Sequence, residues 1–579
     1  MSRRPIRALA SLSPRTPTPD EEFATAVRFV GGPDPATWLR AADGAGLLAG
    51  GLGVPVVVGV TVARPGLLPV VASLWGLLAL GAWHGVRALP AFLATARRSA
   101  ALGLAPALVA RMALRMRVEP TPEAAVDAGR GFDGPLGEAL DRHARAAAGT
   151  GRTGLGPFAE EWGTEFPALG RGCSLLRTAA AVPPGRRGRA LDRAVEAVLD
   201  GTRDRAASFA AGLRASAAAL YAFGVLLPTA LVGVLPAARA AGLGFGLPLL
   251  ALVYDLFLPC VLCVAGAWLV ARRPVAFPVR AVPRSHPERL PWRRSIGLGA
   301  GVGFAAAVVG SVGLAPWFGP LAGLAVGVGA ALTHQFRPVV AVRERVRELE
   351  RGLPDALSFV GGRVADGTAV ERALAEAADR LDGPLGAFLE RGATRGARLG
   401  APVEASFAGA LATLPSDRAS RAVSLFAVAA REGPPAGDPI LRWADHLERL
   451  DAVERQARRD VRRVAGTLSN TAAVFGPLVA GVTVGLAGRL AGGPGVGSTT
   501  VGAGAVAVPG STAATTLPVA GLGLVVGVYV LWSAAVLPAI AVGLERGFDP
   551  AVVGRRVGRS LPLAAATFGA AYALTAAVA

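Results

Sequence analysis

Apolar residues along the chain are gathered in nine long segments, separated by polar stretches of unequal length. A helix needs about 20 mostly apolar residues to cross the hydrocarbon core of a bilayer, and each segment is close to that length. We therefore predict nine membrane-spanning helices, at residues 44–62, 66–86, 216–238, 247–270, 295–314, 317–336, 467–487, 517–543 and 560–578. Very short turns join the first segment to the second and the fifth to the sixth, which predicts two hairpins.

Two long polar regions, 87–214 and 337–466, interrupt the apolar segments, and their apolar positions recur at helical spacing. The predicted fold is therefore all-α, a polytopic membrane protein with two cytoplasmic bundles of about five or six helices each. The first half is predicted to consist of a disordered cytoplasmic tail at 1–43, a transmembrane hairpin at 44–86, the first bundle at 87–214 and two spans in 215–271. A basic cytoplasmic linker at 272–294 leads to the second half. This half is predicted to consist of a second hairpin at 295–336, the second bundle at 337–466 and three spans in 467–579.

Short polar residues mark the predicted starts of bundle helices. Ser416 and Asp438 each precede a helical pattern and can accept a hydrogen bond from its first free N–H groups. Thr121 and Pro122 open another helical pattern in the first bundle. Thr368 and Glu371 have the spacing of a capping box, in which the two residues cap each other.

The pentapeptide DGPLG occurs twice, starting at Asp133 and again, 249 residues later, at Asp382. Both predicted hairpins end in His-x-x-Arg, 250 residues apart, at His84 with Arg87 and at His334 with Arg337. Other short matches in the polar regions share this register, and after these regions the interval becomes 252, between Phe223 and Phe475, so the second copy has gained three residues. We infer that a unit of hairpin, bundle and two spans was duplicated. Each unit has an even number of spans, which makes this a parallel repeat. We expect Asp133 and Asp382 to start or cap the next helix and to have no catalytic role.

Arginine lies almost entirely on one side of the predicted membrane. If the N-terminus is inside, only Arg64, Arg239 and Arg489 of the 60 basic residues lie outside. Basic residues concentrate in cytoplasmic loops, so we predict a cytoplasmic N-terminus and, with nine spans, an external C-terminus. Among 41 acidic residues only Asp255 falls within a predicted span, which makes it a candidate functional residue.

Composition supports a membrane protein and excludes some enzyme classes. The chain is 52% hydrophobic and its mean hydropathy is +0.46. All 60 basic residues are arginine, and a chain without lysine has neither the Walker A lysine of a P-loop ATPase nor a Schiff-base amine.

Cysteine and histidine form no recognisable catalytic or metal-binding pattern. Cys260 and Cys263 lie within an apolar run and Cys173 stands alone, which is typical of packing residues. The five histidines are dispersed, and we expect His84 and His334 to be anchors at the membrane interface. We predict no catalytic residue, no metal and no cofactor.

The segment GLPDALSFVGGRVADGTAVERALAEAADRLDGPLGAFL resembles the type II secretion system F domain. The resemblance rests on a Leu-Pro-x-x-Leu opening, a Gly-Thr turn and an Ala-Leu pair in the following helix, here Leu353, Pro354, Leu357, Gly367, Thr368, Ala373 and Leu374. It covers roughly 87–240 and 337–490. The first copy departs from the pattern, since Pro106 is displaced. Two such domains between membrane hairpins resemble the archaeal platform proteins of type IV pilus-like machines.

The resemblance implies a function without chemistry. Platform proteins of this family lie in the cytoplasmic membrane beneath a growing filament, where a cytoplasmic secretion ATPase docks and drives pilin insertion. A homodimer is also expected from the resemblance.

An arginine cluster precedes the seventh predicted span, at Arg455, Arg458, Arg459, Arg462 and Arg463. Anionic lipid head groups attract such clusters, and so does an acidic protein partner. Nucleic acid is not expected, because the second bundle is nearly neutral overall and has few aromatic residues for base stacking.

Two other functions are weighed against the platform. A secondary transporter with parallel repeats would use Asp255, but would need further polar groups near the bilayer midplane. A membrane hydrolase would need a nucleophile, for which Ser311 is the only candidate, and no intramembrane histidine accompanies it.

Overall fold

The computed structural model describes residues 3–14, 17–63, 68–151, 153–240, 246–271, 286, 288–492, 519–547 and 549–577. All regular secondary structure in these ranges is helical, as predicted. The α-helices are α1 (Arg3–Ala10), α2 (Glu21–Val30), α3 (Pro35–Ala63), α4 (Leu68–Gly103), α5 (Ala105–Val118), α6 (Pro122–Arg130), α7 (Pro135–Ala147), α8 (Leu155–Gly163), α9 (Pro167–Ala179), α10 (Pro184–Tyr221), α11 (Leu227–Ala240), α12 (Leu247–Ala251), α13 (Leu258–Ala271), α14 (Trp292–Gly313), α15 (Phe318–Ala365), α16 (Val370–Arg380), α17 (Gly383–Leu399), α18 (Val403–Thr413), α19 (Asp417–Glu432), α20 (Gly437–Asn470), α21 (Gly476–Gly492), α22 (Val519–Arg546) and α23 (Pro550–Ala577).

Eight helical stretches of the described chain are long and apolar enough to cross a membrane: Pro35–Gly59, Val71–Gly103, Pro184–Leu235, Leu247–Ala271, Trp292–Gly313, Val461–Arg489, Val519–Arg546 and Pro550–Ala577. The predicted span 317–336 is not among them, because its glycines and its Thr-His-Gln end lower its hydropathy. Residues 66–67, 517–518 and 578 of the predicted spans lie outside the described residues. The structure thus supports a multi-pass membrane protein with eight candidate spans in place of the predicted nine.

The predicted span 317–336, which forms the start of α15, nevertheless packs antiparallel to α14. A Cβ on Gly299 would lie 2.6 Å from the carbonyl oxygen of Gly327, and a Cβ on Gly303 would lie 2.8 Å from that of Gly323. Glycines at these positions let the two backbones touch, as in small-residue packing between membrane helices. The start of α15 is therefore held against a candidate span along several turns.

The N-terminal 43 residues were predicted to be disordered, and this prediction is wrong for the described part of the segment. They contain α1, α2 and the start of α3, whose apolar side chains form a small core with Ile6, Val27 and Trp38. Burial of these side chains offsets the conformational entropy lost on ordering the segment.

Each long polar region folds into six helices in the same order. The first consists of α5 to α10, and the second of the C-terminal half of α15 together with α16 to α20. Each has its own buried apolar core, around Leu108, Leu140 and Leu169 in the first and around Leu357, Phe388 and Phe426 in the second. We call these the first and second bundles.

The predicted cap at Ser416 is confirmed and those at Thr368 and Asp438 are wrong, while Thr121, which was predicted to open a helix with Pro122, also caps it. The hydroxyl of Thr121 accepts a hydrogen bond from the backbone N–H of Ala124 at 3.2 Å, and the hydroxyl of Ser416 accepts one from Ala419 at 3.1 Å. Thr368 caps nothing, because α15 ends in a turn in which the N–H of Thr368 donates to Arg363, and α16 starts after Ala369. Asp438 lies inside the first turn of α20, whose N-cap residue is Ala436.

Helices α10 and α20 each continue from a bundle into a candidate span through one π-helical turn. The turns comprise Ala222–Leu226 and Thr471–Phe475, so they are 249 residues apart, the same interval as the DGPLG pair. A π turn inserts one extra residue and leaves a carbonyl free for another partner. In the first turn the hydroxyl of Tyr529 on α22 donates to the carbonyl oxygen of Gly224.

Polar contacts join the segments that were predicted to share one side of the membrane. Arg345 of the second bundle pairs with Glu288 at 2.6 Å, and Arg555 of α23 pairs with Glu344 at 3.0 Å. These contacts place the start of α23 and the end of the predicted linker beside the second bundle. Linker residues 272–285 and 287 lie outside the described residues.

The DGPLG repeat has a geometric explanation in both bundles. Its first glycine has a positive φ, +98° at Gly134 and +75° at Gly383, which glycine adopts without strain. Its second glycine packs against a carbonyl oxygen: a Cβ on Gly137 would lie 1.8 Å from the oxygen of Phe132, and one on Gly386 would lie 1.7 Å from that of Leu381. Asp382 occupies the N-cap position of α17 and Asp133 precedes that of α7, and neither carboxylate caps through its side chain.

Substitution Gly386→Ala should destabilise the protein by about 1–3 kcal/mol, because the new methyl group overlaps a carbonyl that the turn holds in place. The measurement is thermal unfolding of the detergent-solubilised chain, followed by circular dichroism. Gly137→Ala should behave alike.

The matched control is Gly362→Ala, in α15, where a Cβ would meet no atom within 4 Å. It should leave stability unchanged or slightly higher, since alanine favours helix over glycine. An equal loss in both variants would refute the steric explanation.

Candidate functional site

A cavity of about 750 Å³ lies between the two bundles, next to the ends of several candidate spans. Its walls come from α15, α19 and α20 of the second bundle, from the junction of α4 and α5, and from the end of α22. We call it the arginine cavity, after the ten arginines that line it: Arg343, Arg347, Arg351, Arg418, Arg421, Arg455, Arg458, Arg459, Arg462 and Arg546.

Helical spacing explains why so many guanidinium groups meet there. On α15 three arginines follow one another at intervals of four residues, and on α20 four follow at intervals of three, one and three. Both spacings place side chains on one helix face. Because α15 and α20 pack against each other, the two arginine faces line the same space.

Seven acidic residues share the lining, and several of them are already engaged. Asp451 and Glu454 pair with Arg418, at 2.5 and 3.2 Å, and Glu454 also pairs with Arg458. Glu350 is buried and accepts a hydrogen bond from the hydroxyl of Ser416. The lining therefore keeps an excess of positive charge.

Arg343 and Asp549 form the most buried ion pair of the cavity wall. Their side chains are 11% and 2% exposed. The Oδ2 atom of Asp549 faces the guanidinium, while Oδ1 accepts hydrogen bonds from the N–H groups of Ala551 and Val552 at the start of α23. One carboxylate thus caps α23 and ties it to α15.

Arg347, half-buried, takes part in no hydrogen bond or ion pair with the residues that the structure describes. Burial, followed by the like charges of Arg546 and Arg458, lowers the pKa of its guanidinium to about 10. The group still carries its charge at neutral pH. Three guanidinium groups therefore repel one another across the inner part of the cavity.

The arginine cluster predicted from the sequence is only partly assembled. Arg455, Arg458, Arg459 and Arg462 line the cavity, whereas Arg463 is exposed and lies outside the lining. The four-residue spacing on α15 was a signal that sequence analysis missed. Arg546 gave no such signal, since it reaches the cavity from a helix remote in sequence.

The bundles also touch at the rim of this cavity. The guanidinium carbon of Arg421 lies 5.6 Å from the centre of the Phe132 ring, a cation–π contact between the second bundle and the first. Phe132 immediately precedes the DGPLG motif at Asp133.

Asp255 lies in a third π-helical turn, Leu252–Phe257, within a candidate span. Its Oδ1 atom is buried and has no hydrogen-bond partner among the described residues. The neighbouring Tyr254 packs edge-on against Tyr529 and donates to the carbonyl oxygen of Pro228 at 2.7 Å. Asp255 does not line the arginine cavity.

The repeated His-x-x-Arg residues occupy different surroundings in the two hairpins. His84, Arg87 and Arg337 are exposed. The Nδ1 atom of His334 lies 3.0 Å from the hydroxyl oxygen of Ser295. The hydroxyl group of Ser295 donates a hydrogen bond to the Oε1 atom of Gln335. His334 thus joins α15 to α14.

Other sequence candidates serve packing. Ser311 occupies the space that a Cβ on Gly319 would need, inside the second hairpin. Cys173 is buried in the first bundle, where burial raises its pKa to about 12, and Cys260 and Cys263 lie on the exposed face of α13. Within the described ranges, no group of three or more His, Cys, Asp or Glu side chains could hold a metal ion.

Comparison with protein-family models, curated proteins and solved structures gives no significant match to this chain. The arginine cavity and the two similar bundles are therefore the observations from which a function is inferred.

Asp549→Ala should destabilise the protein by about 3–5 kcal/mol, because it leaves the Arg343 charge buried without a partner. Asp549→Asn keeps an oxygen that can cap α23 and should lose less. Thermal unfolding in detergent measures both.

Asp127→Ala, which removes an exposed partner of Arg130 at 3.5 Å, is the control and should have no measurable effect. Equal melting of Asp549→Ala and wild type would contradict a structural role for the pair.

His446, buried on α20, should make stability pH-dependent. Burial and then the charges of Arg418 and Arg449 lower its pKa from 6.5 to about 4. Between these values the unfolded chain binds a proton that the folded chain does not, so stability falls as pH falls. His446→Leu should reduce the slope of the unfolding free energy against pH by up to about 1.4 kcal/mol per pH unit. The measurement is urea or thermal unfolding of the variant and of wild type between pH 7 and 4.5. The exposed His84→Leu is the control, and an unchanged slope in His446→Leu would refute the assignment.

Proposed function

We propose that this chain is a platform protein of a type IV pilus-like assembly or secretion machine in the cytoplasmic membrane. In this proposal the bundles are duplicated cytoplasmic F-like domains that dock a secretion ATPase, and the membrane helices couple the motor to the insertion of pilin subunits. The proposal includes nine spans with a cytoplasmic N-terminus and an external C-terminus, contacts with membrane lipids, a homodimer, and no catalytic chemistry or nucleic acid of its own.

The duplication has support from matched features of the two halves. The bundles have the same helix order, their DGPLG glycines have the same geometric roles, and the π turns that follow α10 and α20 keep the 249-residue interval. π turns are rare in helices, so two of them at this interval support a common origin of the two halves.

The observation that carries the proposal is the continuity of α10 and α20. Each runs from its bundle into a candidate span, and the two helices contact each other. A 38-residue helix such as α10 is about 57 Å long at about 1.5 Å per residue. A motor that displaces either bundle would therefore move a membrane helix directly.

Exposed arginines at the membrane-proximal part of α20 offer a surface for an acidic partner. Arg459 and Arg463 are exposed, and Arg463 is not part of the cavity lining. Charged rim residues of this kind mainly increase the rate and specificity of association.

The test is co-purification of the full-length chain, in detergent, with secretion ATPases encoded in the same genome. Wild type should retain one of them. The double variant Arg459→Glu and Arg463→Glu should retain about tenfold less, because reversed charges repel an acidic partner. Arg398→Glu, an exposed position on α17, is the matched control and should bind as wild type. Recovery of no ATPase with wild type would contradict the docking proposal.

The alternative, a secondary transporter, has one supporting observation, the buried and unpartnered Oδ1 atom of Asp255 in a π turn. Transporter sites combine several polar groups with broken helices near the midplane. A single carboxylate supports this function less than the paired bundles support a platform.

A further inference from the structure

The arginine cavity lies where two candidate spans meet the polar bundles. Arg462 falls at the start of the candidate span Val461–Arg489, and Arg546 is the last residue of the span Val519–Arg546. Both side chains line the cavity. Where these two helices cross a bilayer, the cavity lies at their ends, which is the level of the lipid phosphate groups.

The charges of the cavity are not balanced by the protein. Ten arginines face seven acidic residues in the lining, and Asp549, Asp451 and Glu454 are already held in ion pairs. Arg347 forms no hydrogen bond or ion pair with a described residue, and it lies near the like charges of Arg546 and Arg458, the second of which pairs with Glu454. Like charges in a partly buried space destabilise the folded chain unless an anion offsets them.

Arginine is the side chain best suited to an oxyanion with several equivalent oxygens. Its planar guanidinium group donates two parallel hydrogen bonds to a phosphate, and it keeps its charge when partly buried. The cavity volume, about 750 Å³, is within the range of small-molecule sites. It accommodates a diphosphate or a lipid head group, and it is too small for a folded domain.

We propose that the arginine cavity is a binding site for a phosphate-bearing anion, held between the α15 and α20 arginine faces and Arg546. The bound anion would join the second bundle to the end of α22 and to the α4–α5 junction of the first bundle. Its presence would stabilise the folded chain by an amount that rises with the logarithm of its concentration above the dissociation constant. This proposal does not rest on the platform function, since it is tested without any motor protein.

The experiment uses the full-length chain, delipidated in a neutral detergent, with inorganic pyrophosphate as the probe. Binding is measured by calorimetry and by the rise in melting temperature at constant ionic strength, with sodium chloride as the non-specific reference. We expect saturable binding to wild type and about tenfold weaker binding for Arg347→Gln, which removes one charge-assisted contact. Arg462→Gln should also weaken binding. Arg462 lines the same cavity at an exposed position, so this substitution leaves the buried core of the protein unchanged. Arg398→Gln, outside the cavity, should bind as wild type.

The source of the phosphate is distinguished in a second arm. The chain is purified with native lipids and examined by native mass spectrometry, and then reconstituted in vesicles that contain phosphatidic acid or only phosphatidylcholine. A lipid head group as ligand predicts retained anionic lipid in wild type, less of it in Arg347→Gln, and displacement by pyrophosphate. A free phosphate compound predicts pyrophosphate binding with no anionic lipid retained.

Three outcomes would overturn the proposal. They are the absence of saturable pyrophosphate binding to wild type, equal binding by wild type and both cavity variants, and tighter binding of a hexaglutamate peptide than of pyrophosphate. The last result would assign the cavity to an acidic protein segment.

Discussion

The ion pair between Arg343 and Asp549 fixes the arrangement on which the candidate site depends. Asp549 lies in the turn between α22 and α23, where its buried carboxylate pairs with Arg343, and breaking this pair would leave a buried charge without its partner. The pair therefore sets the height at which α15 passes the ends of these two membrane helices. Arg347 and Arg351 lie one and two turns further along α15, so their position over the cavity follows from the same contact. Removal of the pair would release both the cap of α23 and one wall of the cavity.

Much of the fold could be predicted from the sequence because hydropathy is a local property. Eight of the predicted spans correspond to apolar helices, and the helical nature of the bundles followed from the spacing of apolar residues. The ordered N-terminal segment could not be predicted in this way, since α1 and α2 are short and become stable only through contacts with Trp38 and α4. The capping box at Thr368 failed for a related reason. The backbone of that residue completes the turn that ends α15, and this competes with a cap for α16.

The candidate site was less accessible to sequence analysis. Five arginines of α20 form a recognisable cluster, because one helix carries them within nine residues. Their partners Arg347 and Arg546 belong to helices that are about 100 residues away in either direction, and only tertiary packing brings them together. Sequence analysis also could not separate Arg463 from its neighbours. Arg463 follows the cavity-lining Arg462 directly, and one residue rotates the side chain by about 100° around the helix axis.

The two halves differ in how the membrane hairpin is joined to its bundle. In the second half, α15 runs without interruption from the hairpin to the core of the second bundle, over 48 residues. In the first half, the equivalent path is broken at Leu104, between α4 and α5. A continuous helix resists bending, whereas a break gives way under a small load. Pro338 and Pro354 each remove one backbone hydrogen bond from α15, yet its turns continue through both, whereas α4 ends before Leu104. The link between hairpin and bundle therefore bends more easily in the first half than in the second, even though the internal folds of the bundles are alike.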